Sequence, residues 1–159
     1  MTQFADALFD SDFSLGMTSY LDHFPGEAQQ RRIVLDVELD GIDQPVPAVI
    51  DTGATWCIFD PGLLSALDMD RSAGLRIDTD RPYNIRGYLF TGWLVRIPIT
   101  LLATAGTDLT IDATVFYADH DEDEGWHVPN VVGLDGFLDR LRFAVDSGSN
   151  AFYFGTDDI

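Results

Sequence analysis

An all-β domain is the fold class this sequence predicts, and three observations carry the prediction. Two stretches, RIVLDVELDG from Arg32 and LTIDATVFYAD from Leu109, alternate apolar and polar residues with the two-residue period of a half-buried strand. The region between them is rich in β-branched and aromatic side chains. Glycine, proline and aspartate turn sequences punctuate the chain at short intervals. With 159 residues, 46% of them apolar, the chain can bury one proper core but not two.

The elements follow in order. Residues 1–30 mix Phe and Leu with Asp, Ser and Gly without a firm period and read as an N-terminal arm, leaving 31–159 as the folded domain. Ile33, Leu35, Val37 and Leu39 then share one face of a strand, with Asp36 and Glu38 on the other. DGID supplies a turn, and PVPAVI returns as a second strand whose prolines suit an edge or a strand start. PGLLSALDMD predicts a short helix or turn, and RSAGLRIDTD another strand and turn. YNIRGYLFTGWLVRIPITLLA, with two internal glycines, favours a long hairpin over a helix. DHDEDEG, from Asp119 to Gly125, is too charged to pack and predicts a loop. NVVGLDGFLDRL predicts a short helix near 134–141, through Phe137, Leu138 and Leu141, and LRFAVDSGSNAFYFG predicts two strands around a DSGSN turn. No linker and no repeat period divides the chain.

Charge narrows the function. The net charge is -18, from 27 acidic and 9 basic residues, so phosphate backbones and anionic lipid surfaces are repelled and neither nucleic acid nor membrane is expected as a partner. All the basic residues are arginines, a balance that fits either a salt-adapted source or a biased genomic composition. The start, MTQFADALFD, lacks the basic stretch and apolar run of a signal peptide, and no segment reaches the roughly 18 apolar residues of a membrane helix, so a cytoplasmic location is expected. Cys57, the single cysteine, lies inside TWCIF and reads as a buried neutral thiol.

One acid stands out. In VIDTGATWCIFD, Asp51 is bounded by apolar runs, where a carboxylate is costly unless its charge is shared or hydrogen-bonded. Gly53 permits a tight turn that presents amide donors, and Thr52 and Thr55 offer hydroxyls that can lock the loop. A pair of carboxylates in contact would share one proton, so that one acts as base toward water and the other as acid toward a carbonyl or leaving amine.

The DTGAT stretch, Asp51 to Thr55, resembles the aspartic protease signature in the form of the single-domain, retropepsin-like family. A second landmark of that family, an apolar pair plus glycine before a short helix, is matched by Val131, Val132 and Gly133 ahead of LDGFLDRL. Between the two, NIRGYLFTGW resembles the hairpin that covers the substrate. The resemblance runs from about Arg32 to Gly155 and implies a closed antiparallel acid-protease β-barrel with one short helix near the C-terminus. It implies an aspartic endopeptidase, a hydrolase acting as a C2 homodimer, in which each subunit contributes its Asp51 to one dyad. Thr52 would then reach across the interface, Gly53 and Ala54 would position the loop backbone, and Thr55 would brace it. Arg86, Gly87, Tyr88 and Trp93 would contact an extended peptide or protein substrate from the flap, and neither cofactor nor metal is required. Tyr88, Leu89 and Phe90, and the DHDEDEG insertion, depart from the compact viral pattern.

Other chemistries fit less well. AVDSGSN at Asp146 could be a second half-site, but a DSG between apolar strands is an ordinary hairpin turn, and too little chain follows for a second lobe. Asp119, Asp121 and Asp123 have the spacing that opens a calcium loop, yet Glu124 stands where its glycine belongs and Asn130 where its bidentate glutamate belongs. His23, His120 and His127 are scattered, neither HExxH nor GxSxG occurs, and Trp56, Trp93 and Trp126 read as core or pocket aromatics. The competing class is a non-catalytic peptide-binding or assembly protein on the same fold.

Overall fold

Burial alternates along β2 (Val34–Leu39) as its sequence requires, with Leu35, Val37 and Leu39 inside and Asp36 and Glu38 in solvent. The computed structural model describes residues 6–8, 13–27 and 29–156, apart from the Glu122 side chain, so parts of the expected arm (1–5, 9–12 and 28) lie outside the described residues. A helical stretch at 6–8 (α1) precedes β1 (Gly16–Ser19). After β2 come β3 (Val46–Ile50), β4 (Cys57–Ile58) and α2 (Pro61–Ser65). The Asp60 carboxylate caps α2 by accepting from the Gly62 amide at 2.8 Å, and Pro61 occupies the first turn, where its missing N–H costs nothing. Strands β5 (Leu75–Ile77), β6 (Tyr83–Ile85), β7 (Tyr88–Phe90), β8 (Gly92–Leu101), β9 (Ala105–Gly106) and β10 (Leu109–Ala118) follow, then β11 (Val131–Val132), β12 (Leu141–Asp146) and β13 (Ala151–Thr156).

Six strands close into a ring, in the order β10, β4, β11, β3, β2, β8 and back to β10. Its longest seam is β8 against β10, paired antiparallel from Leu101↔Leu109 to Gly92↔Ala118. Gly92 is needed at that seam, because a Cβ there would lie 2.3 Å from the Tyr117 carbonyl oxygen. Leu35, Val37, Leu39, Ile97, Ile99 and Val115 fill the ring, and Phe59, Phe137, Phe152 and Phe154 extend the same core. A second sheet, ordered β12-β13-β1-β9, is antiparallel throughout and lays β1 alongside β13.

The expected all-β, closed antiparallel barrel is corrected in three respects. Among the described residues there are two α-helical stretches, 6–8 and Pro61–Ser65, and the six-stranded barrel is mixed. Parallel pairs join β10 to β4 and β11 to β3, because β11 threads between β3 and β4 instead of joining a hairpin neighbour. The short helix expected near 134–141 is a turn followed by a 3-10 turn at Leu138–Arg140, whereas the α-helix lies at Pro61–Ser65. Gly136 explains the change: its φ of +81° breaks any α-helical run, and a Cβ there would strike the Thr114 side chain. The stretch expected as one long hairpin is instead a short hairpin, β6–β7, followed by the separate ten-residue β8.

Candidate active site

Asp51 directly follows β3, and the chain turns sharply there. The Asp51 amide donates to the Val132 carbonyl at 3.1 Å, and the Ala54 amide donates back to the Asp51 carbonyl at 3.2 Å. The Gly53 amide donates to Asp51 Oδ1 at 2.8 Å, which holds the carboxylate over its own turn. Farther along, the Leu134 and Asp135 amides donate to the Ala54 and Thr55 carbonyls at 2.8 and 2.7 Å. Val131, Val132 and Gly133 are therefore the other half of the Asp51 loop.

Gly133 has a specific reason to be glycine. A Cβ there would lie 2.4 Å from the Trp56 carbonyl oxygen and 2.8 Å from that of Ala54, both of them backbone atoms with little room to yield. Asn130, just before β11, completes the brace: its side chain accepts from the Asp60 amide at 3.0 Å and donates to the Pro47 carbonyl at 3.1 Å, while its carbonyl accepts from the Val49 amide.

A cleft of about 190 Å³ opens over this turn. Asp51, Gly53, Ala54 and Thr55 line it from the loop, and Tyr83, Asn84, Ile85 and Arg86 line it from the β6–β7 hairpin. Asp51 is half-buried, while Thr52, Gly53 and Thr55 are exposed. The hairpin turns on Arg86 (φ 53°) and Gly87 (φ 88°), two consecutive left-handed residues as a two-residue I′ turn demands, and the Asn84 side chain accepts from the Gly87 amide at 2.9 Å. At its root Tyr83 packs between Trp56 and Phe116, with ring centroids 4.7 and 4.9 Å away. Beyond the root, Tyr88 and Leu89 stand 71% and 66% exposed.

The remaining residues singled out by the sequence are distributed unevenly. Arg86 lines the cleft and reaches toward Glu27 at 3.8 Å. Gly87 is the hairpin tip, and Tyr88 lines a neighbouring pocket instead of the cleft. Trp93 is half-buried on β8 beneath the Arg76 guanidinium, 5.3 Å from its ring centroid, and does not line the cleft. Cys57 is fully buried, and burial pushes its thiol up to about 12, which keeps it protonated and inert. Among the described residues, no group of three or more His, Cys, Asp or Glu side chains is placed to hold a metal ion. Sequence pattern missed Arg32, Tyr83, Asn84 and Pro129 as cleft residues, since each acquires that place through chain crossings that leave no local periodicity.

Asp146 sits in the tight β12–β13 turn and does not line the cleft. The acidic loop is anchored at Asp119, which takes hydrogen bonds from Arg76 (2.6 Å) and Thr91 (2.9 Å) and faces Arg71 at 3.5 Å. Burial alone would raise the Asp119 carboxyl, but these donors and the charges of Arg76 and Arg71 outweigh it and hold the group below its ordinary value.

The overall fold has a solved counterpart. A retropepsin-like aspartic protease from Rickettsia conorii superposes with a TM-score of 0.53 over 87% of this chain and 89% of that one. The fold is retropepsin-like. At 13% identity the likeness is one of fold. No protein-family model matches the chain, and no curated protein matches it. Among the described residues, Asp51 is the one carboxylate that lines this cleft.

Proposed function

We propose that the protein is an aspartic endopeptidase whose dyad forms from Asp51 and Asp51 of the partner subunit in a C2 homodimer. The observation that supports this most is the placement of Asp51 on the floor of a cleft, on a turn braced by Val132 and Gly133 and roofed by a hairpin. Exposure of Thr52, Gly53 and Thr55 in the single chain supports a second copy approaching there.

The two carboxylates would share one proton, since like charges in contact cannot both ionise without cost. The ionised one takes a proton from a water between them, and that water attacks the scissile carbonyl. The protonated one donates to the developing oxyanion; a proton then passes to the amine as the C–N bond breaks, leaving an acid and an amine. Substrate lies extended between the Asp51 loop and the hairpin, and the hairpin closes on it to exclude water.

The test is cleavage of a mixed peptide library from about pH 3 to pH 8, at low and high salt, with the mass in solution recorded for wild type and Asp51→Asn. A dimer that cuts, and loses cleavage with Asp51→Asn, is the expected result. A folded wild-type dimer that cuts nothing under any condition overturns proteolysis in favour of the peptide-binding class.

A further inference from the structure

A second pocket adjoins the cleft. It measures about 450 Å³ and lies between the hairpin and the loop that follows β10, with Tyr88, Phe90, His120, Trp126, His127 and Val128 on its walls. Arg86 and Val128 line both this pocket and the Asp51 cleft, so the two are neighbours across those side chains.

The walls are aromatic and ordered by ring contact. Phe90 lies 5.4 Å from Trp126, and His120 meets Trp126 edge-on at 5.2 Å. Inside this stack Trp126 Nε1 and His120 Nε2 are buried and have no hydrogen-bond partner among the described residues. An indole N–H can only donate, and a buried donor without an acceptor is unfavourable.

We propose that this pocket is a specificity subsite for one side chain of the substrate peptide, with an apolar stem and a neutral terminal acceptor, as in glutamine. The inference rests on the peptidase reading above for its occupant. The apolar walls take the stem, and the terminal carbonyl accepts from Trp126 Nε1–H once the hairpin side of the stack parts to admit it. Arg86 and Glu124, of opposite charge at the same pocket, leave no net preference for an ionised side chain. The hairpin therefore serves two depressions: its tip and inner edge cover Asp51, while Tyr88 and Phe90 grip the neighbouring side chain.

The test uses N-acetylated octapeptides varied one position at a time, on the full chain. Binding to Asp51→Asn is read by calorimetry, cleavage by wild type is read in parallel, and Trp126→Phe is made in both backgrounds with its melting temperature checked. The expected result is one position at which glutamine is preferred over glutamate and lysine. At that position Trp126→Phe weakens the glutamine peptide about tenfold, the size of one net hydrogen bond, and leaves the leucine peptide within about twofold. Equal weakening of both peptides, no weakening of either, or no positional preference overturns the subsite. If wild type cleaves nothing but the glutamine preference and its dependence on Trp126 persist in binding, proteolysis falls and the subsite stands. If cleavage depends on Asp51 without that preference, the subsite falls and proteolysis stands.

Discussion

Asp51 and Asp146 each accept a hydrogen bond from the amide two residues on, at 2.8 and 2.9 Å, and the ideal Cβ of each following glycine would sit 3.2 Å from its carboxylate. As local devices the Asp-Thr-Gly and Asp-Ser-Gly turns are one structure. They part company one layer out. The Asp51 turn is gripped by the backbone of a distant strand, through Val132 and through Leu134 and Asp135 bonded to the loop carbonyls. The Asp146 turn joins two neighbours in sequence, and its second carboxylate oxygen is taken by the Ser149 hydroxyl at 2.7 Å. At Asp51 only Gly53 donates to the carboxylate among the described residues, so an oxygen is left for other work. Spare hydrogen-bonding capacity over a cleft, not the turn itself, separates a candidate catalytic acid from a structural one.

The largest effect should come from breaking that asymmetry directly. Asp51→Asn is expected to lower the rate of peptide cleavage by at least about 10²–10⁴-fold, the range that a positioned acid or base supplies, while Asp146→Asn leaves the rate near wild type. Loss on both substitutions would mean that the two turns work together, and the contrast would collapse.

Next in size is the glycine comparison. Gly133→Ala drives a methyl into two backbone carbonyls, which should cost about 3 kcal/mol or prevent folding, read as the midpoint of urea unfolding. Gly148→Ala meets only the Asp146 carboxylate at the exposed turn and should cost less than about 1 kcal/mol. Equal costs would show that the braced loop can shift to admit a side chain.

Asp119 sharpens the comparison from a third direction, because its carboxylate is held by cations instead of by backbone. Its folded value lies below its unfolded one, so its contribution is present above the unfolded value and fades as pH falls through the folded one. Asp119→Asn should therefore cost about 0.5–1 kcal/mol near neutrality and nothing measurable in strong acid, compared by thermal melts across pH. The smallest effect belongs to Asp146→Asn on stability. Hydrogen bonds from Ser149 and Gly148 hold that exposed carboxyl below its ordinary value, so a slight fall in melting temperature at neutral pH should vanish on acidification.

Much of this was legible residue by residue. The alternation at Leu35, Val37 and Leu39 marked an inner face, PGLLSALDMD was read as a short helix or turn, and the DSGSN turn was read as a turn. Val131 and Val132 were read as a landmark, but not as a strand running parallel to β3, because a two-residue apolar pair carries no direction. The helix expected near 134–141 failed at Gly136, whose left-handed backbone is imposed by Thr114 on another strand. Trp93 was expected at the substrate and lies under Arg76, since which aromatic borders the cleft depends on which strands close the ring.

By itself, then, the sequence determined the local conformations: strand faces, caps, tight turns and the Asp-Thr-Gly loop, all governed by contacts within a few residues. The tertiary structure alone decided which of two equivalent Asp-X-Gly turns faces a cleft, that the barrel is mixed, and that Trp126, in the neighbouring pocket, has a buried donor with no partner among the described residues. The reason is physical. Strand order and direction arise from pairings between segments tens of residues apart, and such pairings leave no period along the chain.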